Sequence, residues 1–168
     1  MASHEFQLLR GCTSSRAAPH RPPWAIAERA FLKVCDQCGD CISVCPEKIL
    51  VRGRGGYPQI DFSRGGCTFC GECARACRPD GLKFADGHPW NQKVFIAASC
   101  LLNQGTECRA CGERCDSSAI QFRQQTSRGG AMPMVEQALC NGCGACISAC
   151  PVNAIDLLSC IQEGGLLS

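Results

Sequence analysis

An α+β fold of two tandem halves, each made of short helices and β-hairpins, is what this sequence predicts. Three observations predict it. Cysteine takes 18 of the 168 positions, far above ordinary usage. One cysteine spacing recurs four times along the chain, in units of about 30 to 40 residues. At matching places in the units stand lone aliphatic residues, followed by turn-rich stretches, as short strands and hairpins require.

The four copies are specific. Cys35, Cys38, Cys41 and Cys45 read C-x2-C-x2-C-x3-C and run into Pro46. Cys67, Cys70, Cys73 and Cys77 repeat that spacing, as do Cys140, Cys143, Cys146 and Cys150, which run into Pro151. Cys100, Cys108, Cys111 and Cys115 form a stretched copy, C-x7-C-x2-C-x3-C. Five positions beyond the last cysteine of each copy stand Leu50, Leu82, Ile120 and Ile155. Five positions before the first cysteine of the later copies stand Phe62, Phe95 and Val135. Each unit therefore reads as a cysteine loop, a short helix opening at the fourth cysteine, a strand, a turn and a return strand. Pro46 and Pro151 suit the first helical position, where no N–H is needed.

Taken in order, residues 1–30 lack any apolar period and contain Pro19, Pro22 and Pro23, which predicts an extended or disordered segment. Residues 31–85 hold the first two copies and residues 86–160 the last two. Residues 161–168 form a tail. Gly53 to Gly56 falls between two strands and so is a turn, not a nucleotide-binding loop. Trp90 is expected to pack over the connection between the second and third copies.

Such spacing points to iron and sulfide. Three cysteines at i, i+3 and i+6 let a short loop wrap one corner of a compact cluster, and the fourth thiolate is aimed away from its own loop. In two-cluster ferredoxins that fourth cysteine ligates the other cluster. The expected groups are therefore crossed: Cys35, Cys38 and Cys41 with Cys77, and Cys67, Cys70 and Cys73 with Cys45. In the second half Cys100, Cys108 and Cys111 take Cys150, while Cys140, Cys143 and Cys146 take Cys115. The fold class sharpens accordingly to two tandem ferredoxin-like dicluster modules around three or four [4Fe–4S] clusters, the number turning on the stretched copy. Gly39, Gly71, Gly112, Gly142 and Gly144 supply the tight loops. Zinc sites usually pair two C-x2-C knuckles across a longer spacer, which is not this pattern. A disulfide framework needs export.

Composition narrows the function classes. Without its cysteines the apolar share drops from 45% to about 35%, thin for a self-sufficient core. Met1 to Arg10 contains only fragments of an export signal, and Arg10, Arg16 and Arg21 occur singly. The expectation is a cytoplasmic protein with reduced thiols and no membrane span. The formal charge of +2 counts each cysteine as neutral; four ligated clusters would bring it to about −6, which argues against nucleic acid. Cys12 and Cys160 lie outside the four sets, and His4, His20 and His88 are isolated. No nucleophile set or carboxylate pair stands out, and four cysteines per cluster leave no iron open to a substrate, so no enzyme activity is expected.

Further residues carry a family resemblance over nearly the whole chain. They are Arg21-Pro22-Pro23-Trp24, Arg52-Gly53 with Gly55-Gly56-Tyr57-Pro58, the stretched Cys100-x7-Cys108-Arg109-x-Cys111-x3-Cys115, and Leu139-Cys140-Asn141-Gly142-Cys143-Gly144-Ala145-Cys146 with Cys150-Pro151-Val152. In these the chain resembles the NapF family, the ferredoxin-type proteins encoded with periplasmic nitrate reductases. The resemblance implies a cytoplasmic accessory protein in the maturation of the nitrate reductase catalytic subunit, helping to install or reduce that subunit's cluster before export. A general electron carrier with redox donor or acceptor partners, or an electron-transfer subunit of a larger complex, are the alternatives. The Arg16 to Trp24 segment is a candidate docking element, since arginine, proline and tryptophan offer cation–π and stacking surface.

Overall fold

A computed structural model describes residues 12–14, 19–85, 89–90, 92–125 and 130–160. His4, His88, the tail at 161–168 and most of residues 1–18 lie outside the described residues. The elements are short, as the turn-rich sequence demands. They are β1 (Cys12–Ser14), α1 (Glu28–Val34), α2 (Asp40–Ser43), β2 (Leu50–Arg52), β3 (Pro58–Ile60), α3 (Glu72–Arg75) and β4 (Gln92–Ile96). There follow α4 (Ala110–Glu113), β5 (Ile120–Gln125), β6 (Gly130–Val135), α5 (Ala145–Ala149) and β7 (Ile155–Cys160).

The two halves repeat one plan. In the first, β2 and β3 form an antiparallel hairpin, Leu50 opposite Ile60. Its outer strands shrink to a single bridge, Ala25 opposite Leu82, held by Ile26 N–H to the Gly81 carbonyl at 3.1 Å and Lys83 N–H to the Trp24 carbonyl at 2.9 Å. In the second half, β5 and β6 form the hairpin and β4 pairs with β7 over five residues, Gln92 to Ile96 against Ser159 to Ile155. On the far side of β7 lies β1, with Cys12 opposite Cys160 in the backbone register.

The helices sit one turn earlier than the sequence suggests. Each short helix carries the third cysteine of its copy and ends before the fourth: α2 holds Cys41, α3 Cys73, α4 Cys111 and α5 Cys146. The reason is visible at Gly39, whose left-handed φ of 90° turns the chain straight into α2. The fourth cysteine begins a turn instead, and Pro46 and Pro151 occupy that turn rather than a helix start. In each copy a residue three beyond the fourth cysteine takes positive φ: Lys48, Asp80, Ser118 and Asn153.

The apolar positions build the core. Leu50, Leu82, Ile120 and Ile155 are all buried, as is Phe62, while Phe95 and Val135 are half-buried. Phe31, Ile49, Val94, Ala119 and Leu157 join them, and among the described residues no buried residue is polar or charged. The cysteines are part of the same cluster: Cys41, Cys73, Cys111, Cys140 and Cys146 pack directly among these side chains.

Residues 19–30 are more structured than their composition suggests. Pro22, Pro23 and Trp24 are buried, and the Trp24 indole N–H donates to the Ala85 carbonyl at 2.9 Å. The Arg21 guanidinium forks onto the Glu28 carboxylate at 2.6 and 2.9 Å, donates to the Pro58 carbonyl and lies 5.1 Å from the Phe31 ring centre. Helix α1 begins at Glu28. Of the expected docking stretch, Arg16 to Ala18 lie outside the described residues; for Trp24 the expectation is corrected, since it is 8% exposed and its ring serves the interior. No partner for a proline-flanked tryptophan was visible in the sequence, because Ala85 and Leu82 lie some sixty residues away.

Replacing Phe31, 1% exposed, with alanine is expected to destabilise the iron-loaded protein by about 3–5 kcal/mol, read from its chemical denaturation midpoint. His20 gives a pH prediction. Burial holds its imidazole below the usual value of 6.5, against its hydrogen bond with Gln92 and the charge of Asp156, both of which raise it. The folded state then binds fewer protons than the unfolded one, so this contribution is present above pH 6.5 and is lost as pH falls below it. Thermal midpoints measured from pH 7.5 downward should fall less steeply below 6.5 in His20→Gln than in the parent.

Candidate metal centres

The sixteen cysteines of the four copies converge on four spaces. Cys35, Cys38, Cys41 and Cys77 line one of about 320 Å³. Cys45, Cys67, Cys70 and Cys73 line a second of about 350 Å³. Cys100, Cys108, Cys111 and Cys150 line a third of about 330 Å³, and Cys115, Cys140, Cys143 and Cys146 a fourth of about 280 Å³. These are the crossed groups that the spacing predicts: three cysteines come from one loop and the fourth from the paired copy.

Local geometry explains the grouping. The first three cysteines follow a loop into a short helix, so the third lies deepest; Cys41, Cys73, Cys111 and Cys146 are all buried. After each helix the chain leaves by the turn at the fourth cysteine, which carries that thiol to the neighbouring space. The stretched copy reaches the same arrangement, because residues 101–104 coil into a 3-10 turn and absorb the insertion. Asn103 ties that turn down through donations to the Ala97 and Ala98 carbonyls at 3.4 and 3.3 Å.

Cationic side chains anchor the loops from outside, and the sequence did not reveal them. Arg52 donates to the carbonyls of Gln37 and Cys38 at 2.9 and 3.2 Å. Arg75 donates to the Cys70 carbonyl at 2.6 Å, and the Lys93 ammonium to the Cys140 carbonyl. Gly39 is favoured beside Arg52 by its left-handed φ of 90°, which strains any residue with a Cβ. The only available signal was the position of Arg52 and Lys93 on strands flanking the loops, and their targets are set by tertiary approach.

The donor chemistry fits [4Fe–4S] clusters. Each space is lined by four sulfurs and, beyond them, by mostly apolar side chains such as Ile49, Leu50 and Ile60 in the second. Among the described residues no three His, Cys, Asp or Glu side chains come together around a single metal ion; the thiols stand around a larger void instead. Backbone N–H groups point at sulfur, Ala154 to Cys150 Sγ at 3.2 Å and Phe69 to Cys67 Sγ at 3.4 Å, as cluster thiolates require. Burial pushes the thiols of Cys41, Cys67, Cys73 and Cys146 up to about 12 and that of Cys111 to about 11. Thiolates in these positions are stable only beside compensating positive charge, which an iron core supplies.

Exposure differs between the halves. The second cysteine is exposed in the first two copies, Cys38 and Cys70, and half-buried in the last two, Cys108 and Cys143. The His20 imidazole lies edge-on to the Phe62 ring, 5.5 Å between centres. Trp90 spans the halves, its indole N–H on the Asn141 carbonyl at 3.2 Å and its ring 5.6 Å from that of Phe69.

Comparison with known proteins agrees with this geometry. Residues 34–82 match the model of a 4Fe-4S dicluster domain and residues 133–156 that of a 4Fe-4S binding domain. The ferredoxin-type protein NapF of Escherichia coli K12 is 45% identical over 137 residues, covering 80% of this chain and 82% of that protein. NapF of Haemophilus influenzae is 46% identical over 137 residues, 82% of this chain and 77% of its own. A methylamine utilization ferredoxin-type protein, MauM of Paracoccus denitrificans, is 29% identical over 160 residues, 85% of this chain and 71% of its own. With its cluster-type cysteine spaces and this identity over four-fifths of its length, the chain belongs to the NapF family of ferredoxin-type iron–sulfur proteins.

Proposed function

We propose that the sixteen cysteines hold four [4Fe–4S] clusters, two in each of two tandem ferredoxin-like modules, and that the protein serves as a cytoplasmic accessory in maturation of the periplasmic nitrate reductase catalytic subunit. The observation that carries the cluster reading is the meeting of four crossed cysteine groups around four separate spaces. Bound clusters supply one-electron chemistry at low potential. The chain's own residues do the rest. The thiols fix the ligand positions; Arg52, Arg75 and Lys93 hold the loops by their carbonyls. Pro23, Trp24 and Ile60 give the second space an apolar wall.

The maturation reading is supported by kinship with NapF and by the exposed edges at Cys38 and Cys70, where a partner can approach two of the four sites. Among the described residues no helix is long and apolar enough to cross a membrane. A general electron carrier is the second reading, favoured by the same exposed edges.

Anaerobically purified protein should contain about sixteen iron and sixteen acid-labile sulfide per chain by the four-cysteine rule; about twelve would remove the stretched copy as a site. In Cys77→Ala, alkylation mapped by mass spectrometry should reach Cys35, Cys38 and Cys41 while Cys67, Cys70 and Cys73 stay protected. The reverse pattern would refute crossed ligation. Tagged, loaded protein should retain the cluster-free nitrate reductase catalytic subunit in pull-downs and release it once mature. Equal binding of both forms, or of neither, would leave the carrier reading in its place.

A further inference from the structure

The two halves meet where a loop of one site touches a loop of another. Cys67 belongs to the second space and Cys143 to the fourth, and the Cys67 N–H donates directly to the Cys143 carbonyl at 2.8 Å. So close an approach needs a residue without a side chain next door. A Cβ on Gly66 would lie 2.8 Å from both the backbone N and the Cα of Ala145, and 2.6 Å from its Cβ; backbone cannot move aside as a flexible side chain would. Gly144, at φ 77°, faces the same seam, where a Cβ would lie 2.1 Å from the Phe62 ring. Trp90 clasps the seam from the side, with its ring against Phe69 and Phe62 and its indole N–H on Asn141.

We infer that Gly66 is a positioning residue that presses the second and fourth cysteine sites together, so that the protein works as one continuous relay of four sites and not as two independent two-site carriers. The inference rests on the cluster reading above. Its order follows from neighbouring elements. Helix α2, which carries Cys41 of the first site, packs against α3, which carries Cys73 of the second; the Cys67 N–H of the second meets the Cys143 carbonyl of the fourth; and α5 with Cys146 of the fourth packs against α4 with Cys111 of the third. The spatial order is therefore first, second, fourth, third, which is not the order of the chain. Passage across the seam moves one electron from a reduced site to its oxidised neighbour, and no bond forms or breaks. The exposed Cys38 and Cys70 edges make the first half the side on which electrons enter or leave.

The test is Gly66→Val in the full-length, iron-loaded protein. Iron content and protection of all sixteen cysteines from alkylation should match the parent, while the spin–spin interaction between halves, measured by EPR of the dithionite-reduced protein, is lost and that within each half persists. An unchanged inter-half interaction in a fully loaded Gly66→Val protein overturns the inference. If that variant fails to load, Trp90→Ala decides: it removes the clasp without placing a Cβ against backbone. A weakened inter-half interaction at full iron content supports the seam, and an unaltered one overturns it. Absence of iron from the parent protein would instead sink the cluster reading, so the two failures are distinguishable.

Discussion

Everything in this fold depends on how buried thiols are arranged around four voids. The cysteines are not decorations on a finished core; they are its innermost members, packed against Ile49, Leu50, Ile120 and Ile155. Thiols desolvated to this degree, as those of Cys41, Cys67, Cys73, Cys111 and Cys146 are, resist ionisation. That cost disappears when a positive iron core takes the sulfurs as ligands, so ligand binding and folding are coupled through the same side chains. A chain with so few aromatic residues and such short strands has little else to organise it.

The supporting structure keeps the loops from relaxing. Three of the four loops must turn tightly enough to present three sulfurs in seven residues, which exposes carbonyl groups on their outer side. Arg52, Arg75 and Lys93 cover those carbonyls with charge-assisted hydrogen bonds, and they place positive charge beside sites that are net negative when loaded. The third loop is held differently, by Asn103 and Gln104 on its own backbone and by Arg109 stacked 5.2 Å from the Phe122 ring centre. The insertion thus brings its own fastening with it.

The segment from Arg21 to Trp24 shows how a polar-looking stretch becomes part of an interior. Arginine, two prolines and a tryptophan read as a surface motif, yet the guanidinium is satisfied by Glu28 and Pro58 and the indole by Ala85. With each polar atom paired, the apolar bodies of these residues can lie over the Phe31 ring and the second cysteine space at little cost.

The local signals were strong because cluster ligation is written at short range: three cysteines per loop, a glycine before three of the four bends, an aliphatic residue five places on. From these the sequence by itself determined the four repeats, their crossed grouping and the buried positions of Leu50, Leu82, Ile120 and Ile155. Tertiary structure decided the rest. Where the helix falls in three of the four units follows the left-handed bend at Gly39, Gly71 or Gly144, not the prolines that seemed to mark it. The roles of Arg52, Lys93 and Trp24 depend on carbonyl partners 14 to 61 residues away, and the meeting of Cys67 with Cys143 on the absence of a side chain at Gly66. Spacing along a chain encodes contacts a few residues apart; approach between distant loops is set only when packing brings their backbones together.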